Sequence, residues 1–389
     1  MFSISRFQQL MKGLPRDTFE RLAEARRANK YSKGFDRWKH LLTMVYGQCA
    51  GAGSLRQIEA GFNSHARHHY HLGGGLVKRS TLSDANNKYS GELFADVARL
   101  LMHKVHRKLR KESEELLYLL DSTAITLKGR GFDEWTRDTR TRNIQGLKLH
   151  LLYAAHQQVP TRYKITSANV NDITSALDMP IEERGLYVFD KGYCDYNWWH
   201  HIHKQGARFV TRFKYNASLV VEEQRVIPED AQGVVLEDQC VRFKNKHPGG
   251  QRYNHYQTTL RRIVVAREDK DKPLILATND LSSSALTIAM RYRSRWQIEL
   301  FFKWIKQHLN IKRFLGRSEN AVRIQILTAL ISYLLLALHR NQYGLRQSMW
   351  ECLMLMRATL FQRPQTEEML DHRRRYKSQY PQNQLELFA

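Results

Sequence analysis

Two short apolar runs, each stopped by an aspartate, constrain this chain most. Leu116-Leu117-Tyr118-Leu119-Leu120 ends at Asp121, and Leu186-Tyr187-Val188-Phe189 ends at Asp190. Four or five apolar residues without alternation read as a strand covered on both faces, and are too few for a helix. Such strands lie inside a sheet with helices packed on it, so the runs predict an α/β core. Further β-rich runs, Leu147–Ala155 and Tyr163–Ser167, fall between them, punctuated by Gly146 and the Pro160 turn. A helix over Asp195–Gln205 and a strand over Arg208–Phe213 follow.

An aspartate after a buried strand often serves only as a turn residue or helix cap. A third acid changes the weighing. Glu299 lies in Tyr292-Arg293-Ser294-Arg295-Trp296-Gln297-Ile298-Glu299, with Lys303 and Lys306 beyond it. On one helix, Tyr292, Arg295, Glu299 and Lys306 fall within a ~60° sector at roughly 100° per residue, with Lys303 just beside it. That stripe offers a phenol, a guanidinium, a carboxylate and two ammonium groups, an odd set for a core face. Carboxylates at strand ends, joined by one from a helix, can hold two hard cations. Two cations are the standard device for cleaving and joining phosphodiesters in line.

The charge of the chain points the same way. The 389 residues carry a formal net charge of +24, and the pI is about 9.9. The basic residues are spread along the chain, which predicts a long anionic partner, nucleic acid ahead of a membrane surface. Cys49, Cys194, Cys240 and Cys352 form no CxxC pair, which argues against structural zinc and fits a reducing cytoplasm. The N-terminus lacks an apolar signal segment. The longest apolar run, Ile326 to Leu338, is too short to span a bilayer and reads as a buried helix.

Three regions are expected: a helical N-terminal DNA-binding region over 1–110, a catalytic core over 111–345, and a C-terminal region with a polar tail over 346–389. In the first, Ser80-Thr81-Leu82-Ser83-Asp84-Ala85 is expected to cap a helix running through Leu101, with Lys78, Arg79, Asn86, Asn87 and Lys88 placed to meet DNA. Within the core, residues 216–272 hold short strands and read as a β-rich insertion, with Pro248-Gly249-Gly250 at a loop tip. Leu274–Thr278 then returns as a buried strand, and a helix is expected from Ser284 to Leu309.

These residues resemble the bacterial DDE transposases of the insertion-sequence 4 family. The family signature Y-(2)-R-(3)-E-(6)-K is matched at Tyr292, Arg295, Glu299 and Lys306, and the contexts of Asp121 and Asp190 are similar to the family's. The likeness covers roughly residues 1 to 345. It implies a ribonuclease-H-like core in which Asp121, Asp190 and Glu299 are catalytic and bind two Mg²⁺ ions, with Mn²⁺ able to substitute. It implies that Tyr292, Arg295, Lys303 and Lys306 hold DNA, with Trp296 near the distorted duplex. It implies cut-and-paste movement of an insertion sequence. One strand is cut at each element end, the freed 3′-hydroxyl forms a hairpin, and the reopened end attacks target DNA. It further implies a homodimer pairing two element ends, at work on the bacterial nucleoid.

In this family the hairpin uses a base flipped onto a tryptophan of the β insertion. Residues 213–273 contain no tryptophan, so Phe243, Tyr253 and Tyr256 are the stand-ins. The histidines at 65, 68, 69 and 71, and at 200, 201 and 203, read as basic surface. Asp172 has no buried strand directly before it and is left out of the catalytic set. Gln384-Leu385-Glu386-Leu387-Phe388 resembles the short peptide by which bacterial proteins dock on the polymerase sliding clamp, through Gln384, Leu385, Leu387 and Phe388. Two other readings stand beside the transposase: a DNA-binding regulator derived from one, with an idle site, and a metal-dependent nuclease without strand transfer.

Overall fold

The computed structural model describes residues 4–363 apart from 31, 33, 112–114, 142–143, 249–250 and 268–271. The sliding-clamp peptide, the rest of the tail and Gly249-Gly250 therefore lie outside the described residues. Helices α1 (Arg6–Met11), α2 (Arg16–Ala25), α3 (Arg37–Ala50), α4 (Leu55–Asn63), α5 (His69–Leu72), α6 (Arg79–Lys88) and α7 (Glu92–Leu109) come first. They are followed by β1 (Leu117–Thr126), α8 (Asp133–Thr136), β2 (Gly146–Ala154), β3 (Val159–Ser167), α9 (Asp172–Ala176), β4 (Leu186–Phe189), α10 (Tyr196–Lys204) and β5 (Arg208–Arg212). Strands β6 (Leu219–Gln224), β7 (Val235–Phe243), β8 (Leu260–Val265) and β9 (Leu274–Thr278) lead to α11 (Ala285–Arg293), α12 (Trp296–His308), α13 (Glu319–Gln342) and α14 (Met349–Thr359).

The α/β core is present. Nine strands form one sheet in the order β3-β2-β1-β4-β5-β9-β8-β7-β6. β4 pairs in parallel with β1 on one side and β5 on the other, and the remaining pairs are antiparallel. β4, buried along its whole length, is the central strand that its uninterrupted apolar run predicts. Gly146 starts β2 at φ +138°, where an added Cβ would meet the Ile125 carbonyl oxygen at 2.3 Å, so only glycine can open this strand. On one side of the sheet Tyr118, Leu120, Tyr187, Phe189 and Phe209 form a core with Trp198 and Trp199 of α10. The side chain of Asp195 caps α10 by accepting from the backbone N–H groups of Asn197 and Trp198. The strands of residues 219–265 extend this same sheet through the pairing of β8 with β9.

Several sequence expectations need correction. β1 does not stop at Asp121. It runs on to Thr126, because its antiparallel pairing with β2 continues after its pairing with β4 has ended. The helix expected from Ser284 to Leu309 is two helices, divided at Ser294 and Arg295 by tight turns: Gln297 N–H donates to the Ser294 carbonyl at 2.9 Å and Ile298 N–H to that of Arg295 at 3.2 Å. α6 already starts at Arg79, so Ser80 to Asp84 lie inside it rather than capping it, and a second helix begins only at Glu92. α13 has 24 residues and is long and apolar enough to cross a bilayer, contrary to the expectation from its apolar run, but 94% of its apolar window is buried in the protein.

The chain divides into two compact units. One takes the residues up to Leu82 together with those from Leu335 onward, and the other takes Ser83–Leu334. In the first, α3 is buried on most of its surface and ends at Gly51 in the left-handed region. Phe7, Tyr46 and Phe361 pack edge-on or tilted around it. His65 stacks on Phe361, and His69 is buried against Phe62, so these imidazoles pack the unit rather than forming a free basic surface.

Candidate active site

The sheet register builds the site. Leu120 of β1 lies opposite Phe189 of β4 in the parallel pair, and β4 ends there. Asp121, still within β1, and Asp190, just past the end of β4, are the next residues, so they stand side by side where the parallel pairing of the two strands stops. Open α/β sheets place their ligand crevices in that position. Asp121 accepts from the Ser122 N–H at 2.8 Å, and Asp190 from the Lys191 N–H at 2.7 Å.

Side chains alternate along a strand, so Asp121 and Thr123 share one face of β1 while Ser122 points to the other. α12 packs against β1. Lys306 Nζ donates to Thr123 Oγ1 at 2.6 Å, which fixes how α12 lies along the strand. Glu299, in the first turn of α12, accepts from Arg295 Nη1 at 2.5 Å, and the same nitrogen lies 3.8 Å from Asp121 Oδ2. Arg212 at the end of β5 donates through Nε to Asp190 Oδ1 at 3.0 Å. The Tyr292 hydroxyl is 3.4 Å from the same oxygen.

Tyr292 is itself placed by its neighbour. Arg291 donates to Asp280 at 2.9 Å and to Glu115 at 2.6 Å, and Arg208 from β5 reaches the same two carboxylates. Two guanidiniums shared between two carboxylates thus tie α11 to the sheet. The structure therefore gathers Asp121, Asp190, Glu299, Tyr292, Arg295 and Lys306. Lys303 and Trp296 are exposed on α12.

The electrostatics differ between the acids. Burial pushes the Asp121 carboxyl up to about 6; the Ser122 N–H and Arg295 pull it down, while the negative charges of Glu299 and Asp190 push it further up. Asp190 is held below the usual carboxylate range, because the Lys191 N–H and Arg212 outweigh its burial. Burial, with help from Lys312, lowers the Lys306 ammonium.

The donor set suits a hard divalent cation: three carboxylates with no thiol or imidazole among them. The desolvation and like-charge repulsion at Asp121 are what such a cation would relieve. Among the described residues, no three His, Cys, Asp or Glu side chains are drawn together around a single point for a metal. Arg295 and Arg212 are bonded to Glu299 and Asp190 instead.

Of the aromatic residues expected to receive a base, Tyr256 is fully buried with its hydroxyl 2.8 Å from His203 Nδ1, and Phe243 is packed on Tyr196. Neither offers a free face. Tyr253 is partly exposed but packed by His247 and His255, and Trp296 is exposed.

Sequence reasoning passed over Arg212 and set Asp172 aside. Arg212 ends the strand Phe209-Val210-Thr211, the same pattern that marked the aspartates, and a polar residue at that place was the available signal. Asp172 had none, because its partners are far away in sequence. Its Oδ1 accepts from Ser122 Oγ at 2.8 Å and from Lys148 Nζ at 3.3 Å, and His150 Nδ1 lies 3.8 Å away. Burial holds the Tyr193 hydroxyl well above its ordinary value, and the charges of Asp172 and Asp121 add to this. A polar group thus lies on the far face of the sheet, in contact with the residue after Asp121.

The family described as Transposase DDE domain matches residues 112–335, more than half of the chain. A Domain of unknown function (DUF4372) matches residues 3–74. A putative transposase of Sinorhizobium fredii is 41% identical over 257 residues, 66% of this chain and 69% of its own length. A probable transposase for an insertion sequence element of Geobacillus stearothermophilus is 27% identical over 66% of each chain. A putative one of Synechocystis is 25% identical over 69% of this chain and 73% of its own. The cryo-EM structure of piggyBac transposase in a synaptic complex with hairpin DNA aligns with a TM-score of 0.44 at 10% identity, over 94% of this chain and 82% of that one.

Proposed function

The chain belongs to the Transposase DDE domain family, and from that premise we propose that Asp121, Asp190 and Glu299 are the centre at which this DNA transposase cuts and rejoins its element. The observation that carries the reading is the register of Leu120 with Phe189, which sets Asp121 beside Asp190 and within reach of the Arg295–Glu299 pair. The strand order β3-β2-β1-β4-β5, with three antiparallel strands and then two parallel ones, supports a ribonuclease-H-like core.

The three carboxylates would hold the divalent cations, Mg²⁺ or Mn²⁺ in its place. A bound cation supplies positive charge against the charge that builds on the phosphate during in-line displacement. The protein does the rest. Asp121 and Asp190 present oxygens from adjacent strands where their parallel pairing ends, and Lys306 fixes α12 and with it Glu299. With Glu299 engaged by a cation, the planar fork of Arg295 would be left to clamp a phosphate oxygen. Lys303 and Trp296 lie on the exposed part of α12, where DNA can reach them.

The reading extends to cut-and-paste movement through hairpin ends, in a homodimer that pairs the two ends of the element. The helical region before the core would bind the terminal repeats. Gln384, Leu385, Leu387 and Phe388 would dock on a sliding clamp, and Leu387→Ala with Phe388→Ala should abolish clamp capture by a peptide of residues 380–389.

The test is cleavage of DNA carrying the element's own ends, with Mg²⁺, by wild type and by Glu299→Gln. Hairpin-ended products from wild type alone are expected. Nicks without hairpins would remove the hairpin step. Tight binding without cleavage by either protein would favour a regulator with an idle site.

A further inference from the structure

The sequence of α4 divides its surface in two. At about 100° per residue, Leu55, Ile58 and Phe62 fall on one side, and Ile58 and Phe62 are fully buried. Arg56, Gln57, Ala60 and Ser64 fall on the opposite side and are exposed. The buried side seats α4 on α3. Ile58 and Phe62 are one turn apart on α4, yet they meet neighbouring residues of α3. A Cβ added at Gly47 would lie 2.6 Å from Ile58 Cδ1, and the rings of Tyr46 and Phe62 are centred 5.3 Å apart. Helices that touch at one such place cross rather than run side by side. α3 packs in turn on α2, with the Phe19 and Trp38 rings edge-on at 5.2 Å.

The connection from α3 to α4 is Gly51-Ala52-Gly53-Ser54. Gly51 leaves α3 at φ +69°, and Arg357 braces this exit, its Nε donating to the Cys49 carbonyl at 3.2 Å. Ser54 Oγ caps α4 by accepting from the Gln57 N–H at 3.2 Å, and Gln57 Oε1 accepts in return from the Gly53 N–H at 2.7 Å. Two crossing helices joined by a short glycine turn are the helix-turn-helix arrangement, which lays its second helix in the major groove of DNA. A helix with its side chains is about 10–12 Å across and the groove about 12 Å wide. Ala60 and Ser64 are small, so the middle of the exposed face can come close to base edges. Arg56 stands at one edge of that face, and among the described residues no acid pairs with it. Glu59 lies on the flank, half-buried. Asn63 ends α4 and holds the Val77 backbone both ways, Nδ2 to the carbonyl at 2.8 Å and Oδ1 from the N–H at 3.0 Å, which sets the exposed Lys78 beside this end of the helix. The face lacks the large apolar side chains that a protein partner would bury, and the chain's net charge of +24 favours DNA.

We propose that α2, α3 and α4 form a helix-turn-helix in which α4 enters the major groove of the element's terminal repeat, with Arg56 on the O6 and N7 edge of a guanine and Lys78 on a phosphate. The proposal rests on the reading that the helical region before the core binds those repeats. It adds which helix, which groove and which side chain read the sequence.

The test uses the full chain in EDTA, so that nothing is cleaved, and two fluorescein-labelled duplexes: one carrying the terminal repeat, the other the same bases scrambled. Wild type should prefer the repeat. Arg56→Gln should bind the repeat at least about tenfold more weakly, the loss of one bidentate base contact, and leave the scrambled duplex little changed. Lys78→Gln should weaken both duplexes alike and reduce the salt slope by about 0.9, one phosphate contact. Methylation of guanine N7, in the major groove, should block wild type at particular positions of the repeat, and at least one of these should no longer matter to Arg56→Gln. An unchanged preference for the repeat in Arg56→Gln, or an equal loss on both duplexes, would overturn the proposal. So would interference in wild type by methylation of adenine N3 alone, since that atom lies in the minor groove. A wild type that binds both duplexes alike would sink the wider reading of repeat binding together with this one, whereas a wild type that discriminates through other residues would sink the α4 assignment alone.

Discussion

Arg295 Nη1 donates to Glu299 Oε1 at 2.5 Å and lies 3.8 Å from Asp121 Oδ2, so one guanidinium faces two acids of the site. Its fixed charge offsets the repulsion between partly desolvated carboxylates, and it would compete with a divalent cation held by those acids. Arg295→Gln removes the competitor. Mn²⁺ should then bind several-fold more tightly in a calorimetric titration. Strand cleavage should fall by at least about tenfold, because a charge-assisted hydrogen bond available to a phosphate is lost. Unchanged Mn²⁺ affinity would mean that Arg295 and the cation do not compete.

Asp121 predicts a pH dependence of stability. Its ordinary value is 3.8, and burial in the fold pushes it up to about 6. The folded state therefore holds the proton more tightly. The contribution to stability is full below pH 3.8 and is lost as pH rises through about 6, by about 3 kcal/mol at most. In EDTA at pH 8, Asp121→Asn should melt at a higher temperature than wild type, and below pH 4 the two should converge. Mg²⁺ should raise the melting temperature of wild type far more than that of the variant. A wild type at least as stable as Asp121→Asn in EDTA at pH 8 would refute the account.

The two aspartates were legible in the sequence because each follows an uninterrupted apolar run, and buried strands must be apolar on both faces. Glu299 and its stripe were legible because helical spacing survives a short break: α11 and α12 are separate helices, yet Tyr292, Arg295, Glu299 and Lys306 still meet the strand ends. The end of β1 was not legible. Ser122, Thr123 and Thr126 suit turns and strands alike, and the choice was made by β2, which supplies hydrogen-bond partners out to Gly146. The bases for discarding Phe243 and Tyr256 were equally hidden, since exposure of an aromatic ring depends on tertiary packing. Asp172 needed a contact across 50 residues, which no local pattern encodes.

Asp238 and Arg261 form a fully buried pair between β7 and β8, with Nε to Oδ1 at 2.7 Å and Nη2 to Oδ2 at 2.6 Å. Arg261 also donates to the Ser283 carbonyl ahead of α11. Removing one partner strands a buried charge. Asp238→Ala should cost about 3–5 kcal/mol in urea unfolding, whereas the double replacement Asp238→Leu with Arg261→Met should cost far less. Equal losses would show that the pair contributes through its packing alone.

Asp172 should act on the site through Ser122. It accepts from the Ser122 hydroxyl on the face of β1 opposite Arg295, and so bears on the backbone at the residue whose N–H bonds the Asp121 carboxylate. Asp172→Ala frees Ser122 and leaves Lys148 without its carboxylate. The kcat for strand cleavage should drop by about tenfold and the Mg²⁺ concentration for half-maximal rate should rise, while affinity for element ends stays the same. Asp172→Asn keeps an acceptor for the hydroxyl and should recover most of the rate. Ser122→Ala should reproduce the Asp172→Ala defect. In the double variant the two losses should not multiply, because residues acting through one contact are not additive. Multiplying losses would place Asp172 on a separate path, through Lys148 or His150. A fall in DNA affinity without a change in Mg²⁺ dependence would make it part of the DNA surface instead.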